Sequence, residues 1–315
     1  MKGSDRLKGA SVLVTGASGM LGRKLIRRLA PANQITGVSK SGREGAFACD
    51  LAKGADVGKI FSRNFDLVIH AAAYSDVDGC EKEPQLAHEA NALATKNLAA
   101  LCGQKGVPFI YVSTDYVFDG QKKSPYRETD ATGPVNIYGL TKLEGEYFTK
   151  QLAPLSAVVR TSWLFGEGNP KSFVNAITQR LKTEKVVRVL ADQEDSPTSV
   201  EDLSEAIEKI GAHWLLHKAQ KPFQDVFHVC NAGSTTRYGL TLKIREVLGL
   251  ENVRVEKMDK EEIKNRWALR PLYGVMSTDR YERFFNVKMR SWQESLEDYL
   301  KEEEHASKVT KKDKN

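Results

Sequence analysis

A glycine-rich turn close to the start of the chain constrains the fold more than any other feature of its 315 residues. The apolar, β-branched run SVLVTG (11–16) predicts a buried strand, and helical periodicity follows in MLGRKLIRRLA. Between them, Gly16, Gly19 and Gly22 form a GxxGxxG loop. Such glycines allow a tight turn and a close approach of the backbone to a pyrophosphate, which the N-terminus of the following helix can bind. This strand-turn-helix context predicts a dinucleotide-binding unit more strongly than it predicts a simple glycine-rich turn.

Strands and helices alternate through the first half of the chain. Further strands are predicted at ITGVS, AFACD, FDLVIHAAA, VPFIYVSTD and LSAVVRTSW, with helices at PQLAHEANALATKNLAALCG and from Tyr138 to about Gln151. Such an alternation favours a parallel sheet covered by helices on both faces. We therefore predict an α/β fold, with a Rossmann-type doubly wound parallel sheet and a smaller, partly interleaved C-terminal substrate domain.

The expected domain organisation follows from the point at which this alternation ends. Residues 1–162 are predicted to form the NAD(P)-binding Rossmann domain, and segments about 173–192 and 222–250 are predicted to rejoin it. Residues 163–300 are expected to form mainly the substrate-binding domain. Residues 301–315 are almost all polar, and this composition predicts a frayed helix end followed by a disordered tail.

Composition excludes several classes of protein. A hydrophobic content of 41% and a charged content of 28% are typical of soluble globular chains. The net charge of +6 comes without a basic block in the folded part, which argues against a nucleic-acid partner. The N-terminal sequence lacks the apolar core of a signal peptide, and no run reaches the ~18 apolar residues of a membrane-spanning helix. The four cysteines are scattered and no cluster has metal-ligand spacing, so we expect a cytoplasmic location and no metal.

The end of the second predicted strand bears on the choice of cofactor. An NAD site usually places an acid there to hold the ribose 2′-hydroxyl, whereas this chain has Ser39, Lys40 and Arg43. The two cations can pair with a 2′-phosphate, so NADP(H) is preferred and NAD(H) stays open. The other residues expected to contact the cofactor follow the glycine loop and two later strands: Met20, Leu21, Asp50, Leu51, Ala71, Ala72 and Ala73.

A tyrosine and a lysine stand four residues apart in IYGLTKLEGE (137–146), which has the pattern of a helix. Residues at this spacing share one helix face, so the ammonium of Lys142 can favour the ionised form of Tyr138 and lower its pKa. A phenol with a lowered pKa is a usable general acid or base. The spacing alone is also typical of a solvated helix face, and only other motifs can decide between the two interpretations.

A second set of polar side chains, Ser113, Thr114 and Asp115 in VSTDYVFDG, follows a predicted strand. In open α/β sheets, ligands bind beyond the carboxyl ends of the strands, so this set is expected beside the glycine loop. Simple loop capping is the alternative for such residues.

These motifs together carry a family resemblance. The chain resembles the extended short-chain dehydrogenases/reductases and, among them, the dTDP-4-dehydrorhamnose reductase family. The resemblance spans roughly residues 11 to 300 and rests on TGASGMLG, HAAAYSDVDGCEKEP, EANALATKNLA, VSTDYVFDG, PYRETDATGPVNIYGLTKLEGE, RTSWLFG and ADQEDSPTSVEDL. Related sugar-nucleotide dehydratases usually carry an acid after Thr-Asp, where this chain has Tyr116, and this difference argues against dehydration.

The resemblance implies a role for each matching residue. Tyr138 would give a proton to the substrate carbonyl, Lys142 would bind the nicotinamide ribose, and Thr114 would bind the carbonyl oxygen. The sugar pocket would be lined by Val77, Ser113, Asp115, Tyr116 and Trp163, and Arg270 matches an Arg-Pro near the substrate in that family. The implied reaction is reduction of the C4 keto group of dTDP-4-dehydrorhamnose, a nucleotide sugar, by NAD(P)H.

Several alternatives stay open at this point. Trp163 also suits a core position, and Arg270 also suits a surface salt bridge. After Arg270-Pro271 the chain reads LYGVMSTDRY, where the family more often has a polar pair and a leucine, so another nucleotide sugar could be reduced or epimerised. The regulatory β subunit of methionine adenosyltransferase is similar over the same motifs, so a non-catalytic role is a further alternative. A homodimer is compatible with all of these functions.

Overall fold

A computed structural model describes residues 6–43, 45–217, 223–258, 262 and 267–312, with the side chains of 306–312 left out. The strands are β1 (Ser11–Thr15), β2 (Gln34–Ser39), β3 (Phe47–Ala48), β4 (Leu67–His70), β5 (Phe109–Thr114), β6 (Leu155–Thr161), β7 (Leu164–Phe165), β8 (Val186–Leu190), β9 (Glu194–Asp195), β10 (Thr198–Ser199), β11 (Phe223–His228), β12 (Thr235–Thr236) and β13 (Arg254–Met258). The α-helices are α1 (Met20–Leu29), α2 (Gly54–Ile60), α3 (Val77–Lys82), α4 (Pro84–Ala87), α5 (Ala94–Lys105), α6 (Ile137–Leu152), α7 (Phe173–Thr183), α8 (Val200–His217), α9 (Arg237–Val247), α10 (Asp279–Phe285) and α11 (Trp292–Lys312).

Seven parallel strands form the central sheet in the order β11-β6-β5-β4-β1-β2-β3. Strand β1 pairs with β2 on one side and with β4 on the other, with Val12 opposite Ile35 and Leu67. The strand order reverses between β1 and β4, and open α/β sheets bind their ligands beside such a reversal. The predicted doubly wound Rossmann-type sheet is confirmed.

Helices cover both faces of this sheet, which explains why its strands read as nearly unbroken apolar runs. On one face, α1 and α8 pack together and contribute Leu25 and Ile207 to a core shared with β1, β4 and β5. On the other face, α2, α5 and α6 pack over a core that includes Val57, Leu98 and Ala153.

A second apolar core lies beside the sheet and is built from α7, β8, α9, β13 and α11. The segment 173–192, expected to rejoin the first domain, packs in this second core instead. Its helix presents Val174, Ile177 and Leu181 at helical spacing, and these side chains pack with Val187 and Val189 of the following strand. An amphipathic helix followed directly by a strand can cover its own apolar face in this way.

Other parts of the predicted domain division also differ. Of the segment 222–250, β11 joins the central sheet, whereas α9 packs in the second core, and residue 222 lies outside the described residues. Helix α8 falls in the predicted substrate-binding region 163–300, yet it packs on α1 against the sheet. The two halves of the chain are therefore more deeply interleaved than the sequence predicts.

The helix predicted over 84–103 continues to Lys105, with a π-helical segment, His88–Leu93, between α4 and α5. Gly106, in the left-handed conformation, ends it. Gly103 lies inside α5 and has a different role. A Cβ at this position would collide with the Leu152 carbonyl oxygen, so the glycine allows α5 and α6 to approach closely.

The C-terminal segment also differs from its prediction, because α11 is helical as far as Lys312. Its first turns bury Trp292, Leu296 and Leu300 in the second core. Extending an existing helix is easier than nucleating one, so the anchored turns support the polar residues that follow. Residues 1–5 and 313–315 of the predicted terminal segments lie outside the described residues. No described helix is both long enough and apolar enough to cross a membrane.

Candidate active site

A cleft of about 870 Å³ lies at the carboxyl edge of the central sheet. It collects residues from the loops after β1, β2, β4, β5 and β6 and from α6. Arg43 and Arg270 are the predicted site residues that lie outside its lining. The other predicted site residues line it: Gly16, Gly19, Met20, Leu21, Gly22, Ser39, Lys40, Asp50, Leu51, Ala71, Ala72, Ala73, Val77, Ser113, Thr114, Asp115, Tyr116, Tyr138, Lys142 and Trp163.

The glycine loop forms one end of the cleft, and its geometry explains two of the glycines. Gly16 has a φ of +70°, and a Cβ there would lie 2.8 Å from the Ala72 amide nitrogen. A Cβ on Gly22 would collide with the Gly16 carbonyl oxygen. The loop therefore packs tightly between the sheet and α1, and the start of α1 faces the cleft, as binding of a pyrophosphate requires.

The end of β2 forms the side of the cleft that bears on cofactor choice. Ser39 is buried, and its hydroxyl has no hydrogen-bond partner within the described part of the chain. Lys40 is exposed, and its Nζ lies 3.9 Å from Asp50 Oδ2, so its charge is partly balanced within the protein. Arg43 is exposed on the loop beyond the cleft lining. A glycine loop and a nearby cation fit the binding of a dinucleotide at this end of the cleft.

Helix α6 carries Tyr138 and Lys142 to the cleft. It begins at the N-cap Asn136, whose side chain accepts a hydrogen bond from the Gly139 amide at 2.8 Å. A Cβ on Gly139 would collide with the Tyr116 carbonyl oxygen, so this glycine lets the helix approach the turn that follows β5. Lys142 is 2% exposed, and its Nζ donates to the Val112 carbonyl oxygen at 2.7 Å.

Burial controls the acid–base properties of both residues. Burial lowers the pKa of Lys142 to about 7, although the Glu146 carboxylate acts in the opposite direction. Burial raises the pKa of Tyr138, and an ionised Asp115 would raise it further, whereas a hydrogen bond with Thr114 favours a lower value. This is the opposite of the lowered pKa that the Tyr-Lys spacing predicts. Desolvation disfavours the charged form of Lys142, so this lysine does less to favour the ionised form of its neighbour.

A buried ion pair lies one helical turn beyond Lys142 and was not predicted from the sequence. Arg160 Nε and Nη2 donate to the two carboxylate oxygens of Glu146 at 2.8 and 2.7 Å. The Ser113 hydroxyl donates to Glu146 Oε1 at 2.6 Å, so this predicted substrate contact is engaged within the protein. Glu146 stands four residues after Lys142, and that spacing was the available sequence signal.

Thr114 and Asp115 lie at the end of β5 opposite Tyr138. The Thr114 hydroxyl donates to Asp115 Oδ1 at 2.8 Å and accepts from the Tyr116 amide at 3.2 Å. The Asp195 carboxyl is buried beside that of Asp115. Burial raises the pKa of both carboxyl groups, and their proximity raises that of Asp115 further. Sequence reasoning missed Asp195, although it lies within the quoted ADQEDSPTSVEDL motif.

Aromatic side chains complete the wall of the cleft. The rings of Tyr116 and Tyr138 meet edge to face with centroids 5.8 Å apart. Trp163 has a φ of +39°, an uncommon conformation for a large residue, and its indole lies 4.4 Å from the guanidinium carbon of Arg237. Trp163 lines the cleft and also packs against the second core.

Arg270 is held by an acid outside the cleft lining. Its Nη1 and Nη2 donate to Asp78 Oδ1 and Oδ2 at 2.8 and 2.7 Å. The hydrogen bond with Arg270 holds the pKa of Asp78 at about 2. Asp78 Oδ1 also accepts from the amides of Trp267 and Ala268, both at 2.9 Å. This ion pair fastens the 267–270 loop to α3, and the expected contact of Arg270 with the substrate stays a prediction.

Comparisons with known proteins agree with this geometry. Residues 10–305 match the family model of the RmlD substrate binding domain. The chain is 35% identical over 288 residues to a dTDP-4-dehydrorhamnose reductase of Mycolicibacterium smegmatis, covering 91% of this chain and 84% of that protein. It is 34% identical over 297 residues to the spore coat polysaccharide biosynthesis protein SpsK of Bacillus subtilis, covering 94% and 98%.

A solved structure shows the same architecture. It is the dTDP-4-dehydrorhamnose reductase of Bacillus anthracis in complex with NADP, with a TM-score of 0.84 and 32% identity. The match covers 93% of this chain and 99% of that one. The expected family is thus confirmed: the chain belongs to the RmlD substrate-binding domain family, within the extended short-chain dehydrogenases/reductases.

Proposed function

We propose that this protein reduces the C4 keto group of dTDP-4-dehydrorhamnose to give dTDP-rhamnose, with NADPH as the preferred hydride donor and NADH as an alternative. One observation carries the proposal. Thr114, Tyr138 and Lys142 lie on the same cleft as the glycine loop, so a dinucleotide and a keto sugar would meet beside them. The reductases named among its relatives support this choice of substrate.

We propose a position in the cleft for each part of the cofactor. The glycine loop and the start of α1 would bind the pyrophosphate, and Ser39, Lys40 and Arg43 would bind the 2′-phosphate of the ribose. Asp50 and Leu51 would border the adenine, and Ala71, Ala72 and Ala73 would line the path to the nicotinamide. The cofactor, when bound, supplies the hydride.

Tyr138 would supply the proton. Negative charge develops on the carbonyl oxygen as a ketone is reduced, and hydrogen-bond donors aimed at that oxygen stabilise it. The raised pKa of Tyr138 keeps its phenol protonated at neutral pH, as a proton donor must be. The Thr114 hydroxyl would be the second donor, while Lys142 would hold the nicotinamide ribose.

The remaining cleft residues would hold the sugar. Val77, Asp115, Tyr116 and Trp163 line the cleft beyond the reacting groups, where an apolar wall with a few polar groups suits a deoxy sugar. Arg270 lies behind this wall in its ion pair with Asp78. We propose that it supports the pocket through Tyr116, whose phenol is influenced by the Arg270 charge.

The experiment is to measure NADPH oxidation with dTDP-4-dehydrorhamnose, for the wild type and for Tyr138→Phe, and to repeat it with NADH. We expect rapid oxidation by the wild type, with a higher rate for NADPH, and a loss of kcat by roughly 10²–10⁴-fold in the variant. NADPH affinity should stay unchanged.

Tyr147→Phe is the matched control, because Tyr147 lies on the same helix and is 61% exposed. Its turnover should equal that of the wild type. A Tyr138→Phe variant that retains wild-type turnover would contradict the assigned proton donor.

A second candidate is the reduction or epimerisation of another nucleotide sugar. It is favoured by the position of the acid pair Asp115 and Asp195, which lies beside the predicted sugar pocket and contacts Gly274. Gly274 belongs to the segment LYGVMSTDRY, which departs from the family pattern. A panel of 4-keto nucleotide sugars would distinguish the two candidates. If no sugar is turned over while NADPH still binds, a pull-down for a tight protein partner would test the regulatory role.

The cellular setting is part of the same proposal. We propose a cytoplasmic protein, because Cys49, Cys80, Cys102 and Cys230 are all free thiols in the structure. The proposed oligomeric state is a homodimer, which light scattering of the purified protein would test.

A further inference from the structure

Two buried carboxyl groups from distant parts of the chain meet beneath the candidate catalytic threonine. Asp115 follows β5 and Asp195 ends β9, and each residue is 3% exposed. Both Oδ2 atoms crowd the same point above the Gly274 backbone. A Cβ on Gly274 would collide with Asp195 Oδ2 and would lie 3.0 Å from Asp115 Oδ2. The absence of a side chain at Gly274 therefore provides the space in which the two carboxyl groups face each other.

The opposite oxygen of each carboxyl group already has a donor. Asp195 Oδ1 accepts from the Ser196 amide at 2.7 Å, and Asp115 Oδ1 accepts from the Thr114 hydroxyl at 2.8 Å. Asp115 Oδ2 has no conventional donor within the described residues, so the facing carboxyl of Asp195 is its neighbour. Two acceptor oxygens in this arrangement need a proton between them, because two adjacent buried carboxylates repel each other.

The groups around the pair are consistent with one retained negative charge. Arg237 is the cation that acts on Asp195. The nearby Ser162 hydroxyl donates to the Ser196 carbonyl oxygen at 2.7 Å. Tyr116, Tyr138, Tyr273 and Cys230 also face the pair and are neutral, because burial raises the pKa of each of them. A cation beside two carboxyl groups favours a pair that holds one proton and one negative charge.

We propose that Asp195 is a positioning residue of the reductase, which keeps Asp115 protonated and thereby frees the Thr114 hydroxyl and the Tyr138 phenol for the substrate carbonyl. This proposal rests on the proposed function. An ionised Asp115 would hold the Thr114 proton in a charge-assisted hydrogen bond, roughly twice as strong as a neutral one. A protonated Asp115 donates to Asp195 and accepts only weakly from Thr114, whose hydroxyl can then turn to the substrate oxygen.

The same proton affects Tyr138. A negative charge on Asp115 makes release of the phenolic proton harder, because it raises the pKa of Tyr138. Asp195 attracts the charge of the pair toward itself, where Arg237 and the Ser196 amide stabilise it. The charge thus lies farther from the reacting groups, and Tyr138 remains able to give up its proton as the substrate oxygen becomes negative.

Asparagine variants distinguish the two members of the pair. In Asp115→Asn, the amide imitates a protonated acid, because it donates N–H to Asp195 and accepts from Thr114. We expect its kcat to exceed that of Asp195→Asn, although Asp115 also lines the proposed sugar pocket. In Asp195→Asn, the new amide donates to Asp115 and favours its ionised form. We expect kcat to fall by roughly tenfold or more at neutral pH, as a shift of about one pKa unit at Tyr138 would produce, with KM little changed.

The protonation state can be measured without any turnover. Infrared difference spectroscopy of the full-length protein at about pH 7 should show the C=O stretch of a buried carboxylic acid in the wild type and should lose it in both single variants. Glu194→Gln is the matched control, since Glu194 adjoins Asp195 on β9 and accepts from Ser234 at 2.6 Å. It should keep both the infrared band and kcat.

Failure of this inference and failure of the proposed function give different results. Absence of the acid band in the wild type would overturn the inference whether or not any sugar is reduced, even if neither variant folds. Asp195→Asn with wild-type kcat across the pH range would also overturn it. The remaining outcome is a band that is present in the wild type and absent from Asp195→Asn, in a protein that reduces no keto sugar. That result would support the shared proton. It would reject only the reductase function that the positioning role requires.

Discussion

At the scale of single residues, the acid–base properties of the cleft follow from desolvation. Lys142 is almost fully buried and places its amine on a backbone carbonyl oxygen, so its pKa falls from 10.5 to about 7. Tyr138 changes in the opposite direction, because burial disfavours the charged form of a phenol as well as that of an amine. A helix spacing places the two side chains on one face but does not reveal how dry that face is.

Replacing Lys142 by methionine tests this burial. A lysine with a depressed pKa makes its full contribution to stability above its unfolded value of 10.5 and loses it progressively as the pH falls to about 7. Lys142→Met should therefore abolish turnover and yet raise the free energy of unfolding below pH about 7, by on the order of 1–3 kcal/mol. The advantage over the wild type should shrink as the pH rises, and urea unfolding at several pH values would measure it.

The control for this variant is Lys150→Met, at an exposed position of the same helix. Its stability relative to the wild type should not depend on pH in this range. A Lys142→Met variant whose advantage is constant with pH would show that the ammonium is not desolvated in the fold.

At the scale of elements, glycines control how closely the helices approach. Gly139 lets α6 approach the turn after β5, which places Tyr138 against Thr114. Gly103 lets α5 pack against the end of α6, close to the Leu152 carbonyl oxygen. Both contacts fix the position of the helix that carries the proposed proton donor.

Gly103→Ala should therefore destabilise the protein, whereas Gly58→Ala should not. The added methyl group at Gly103 forces α5 away from α6, at a cost of roughly 1–3 kcal/mol in the free energy of unfolding. Gly58 lies within α2 with nothing inside 4 Å of an added Cβ, so alanine there should be neutral or stabilising by about 0.5–1 kcal/mol. Chemical denaturation of both variants would measure the difference, and equal stabilities would contradict the close-packing argument.

At the scale of the whole molecule, the cleft depends on contacts between segments far apart in the chain. Asp78 on α3 holds the 267–270 loop through Arg270 and two backbone amides. Asp195 of β9 meets Asp115, which follows β5, in the same way. The substrate side of the cleft is thus assembled from both halves of the chain, whereas the glycine loop and the end of β2 lie within the first half.

Asp78→Asn should weaken substrate binding and leave the cofactor site intact. Asparagine keeps the shape but loses the charge that holds Arg270, a loss of roughly 1 kcal/mol. We expect KM for the nucleotide sugar to rise by about three- to tenfold while NADPH affinity is unchanged. Steady-state kinetics and fluorescence titration would measure these two quantities.

Asp56→Asn is the control, because it removes an exposed ion pair with Lys59 in α2. It should change neither quantity. A rise in the NADPH dissociation constant of Asp78→Asn would instead show that the loop supports the whole cleft.

Most residues predicted for the cofactor side lie on the cleft, since their sequence signals are local. Gly16 follows β1 and Ser39 ends β2, two strands that the apolar pattern reveals, and parallel strands bring their carboxyl ends to one edge. Arg43 is the exception, because a residue on an exposed loop beyond the end of a strand is not constrained to face the cleft. Glu146 and Asp195 were missed because their importance depends on partners distant in the chain.

The sequence by itself determined the Rossmann-type sheet, the glycine loop, the family and the order of the candidate catalytic residues, because strand and helix periodicities and motif spacings are properties of neighbouring residues. Only the tertiary structure decided the interleaving of the two cores, the engagement of Arg270 by Asp78, and the burial of Lys142, Tyr138 and the Asp115–Asp195 pair. Those properties depend on which groups are removed from water together, and desolvation is set by packing between segments that no local pattern connects.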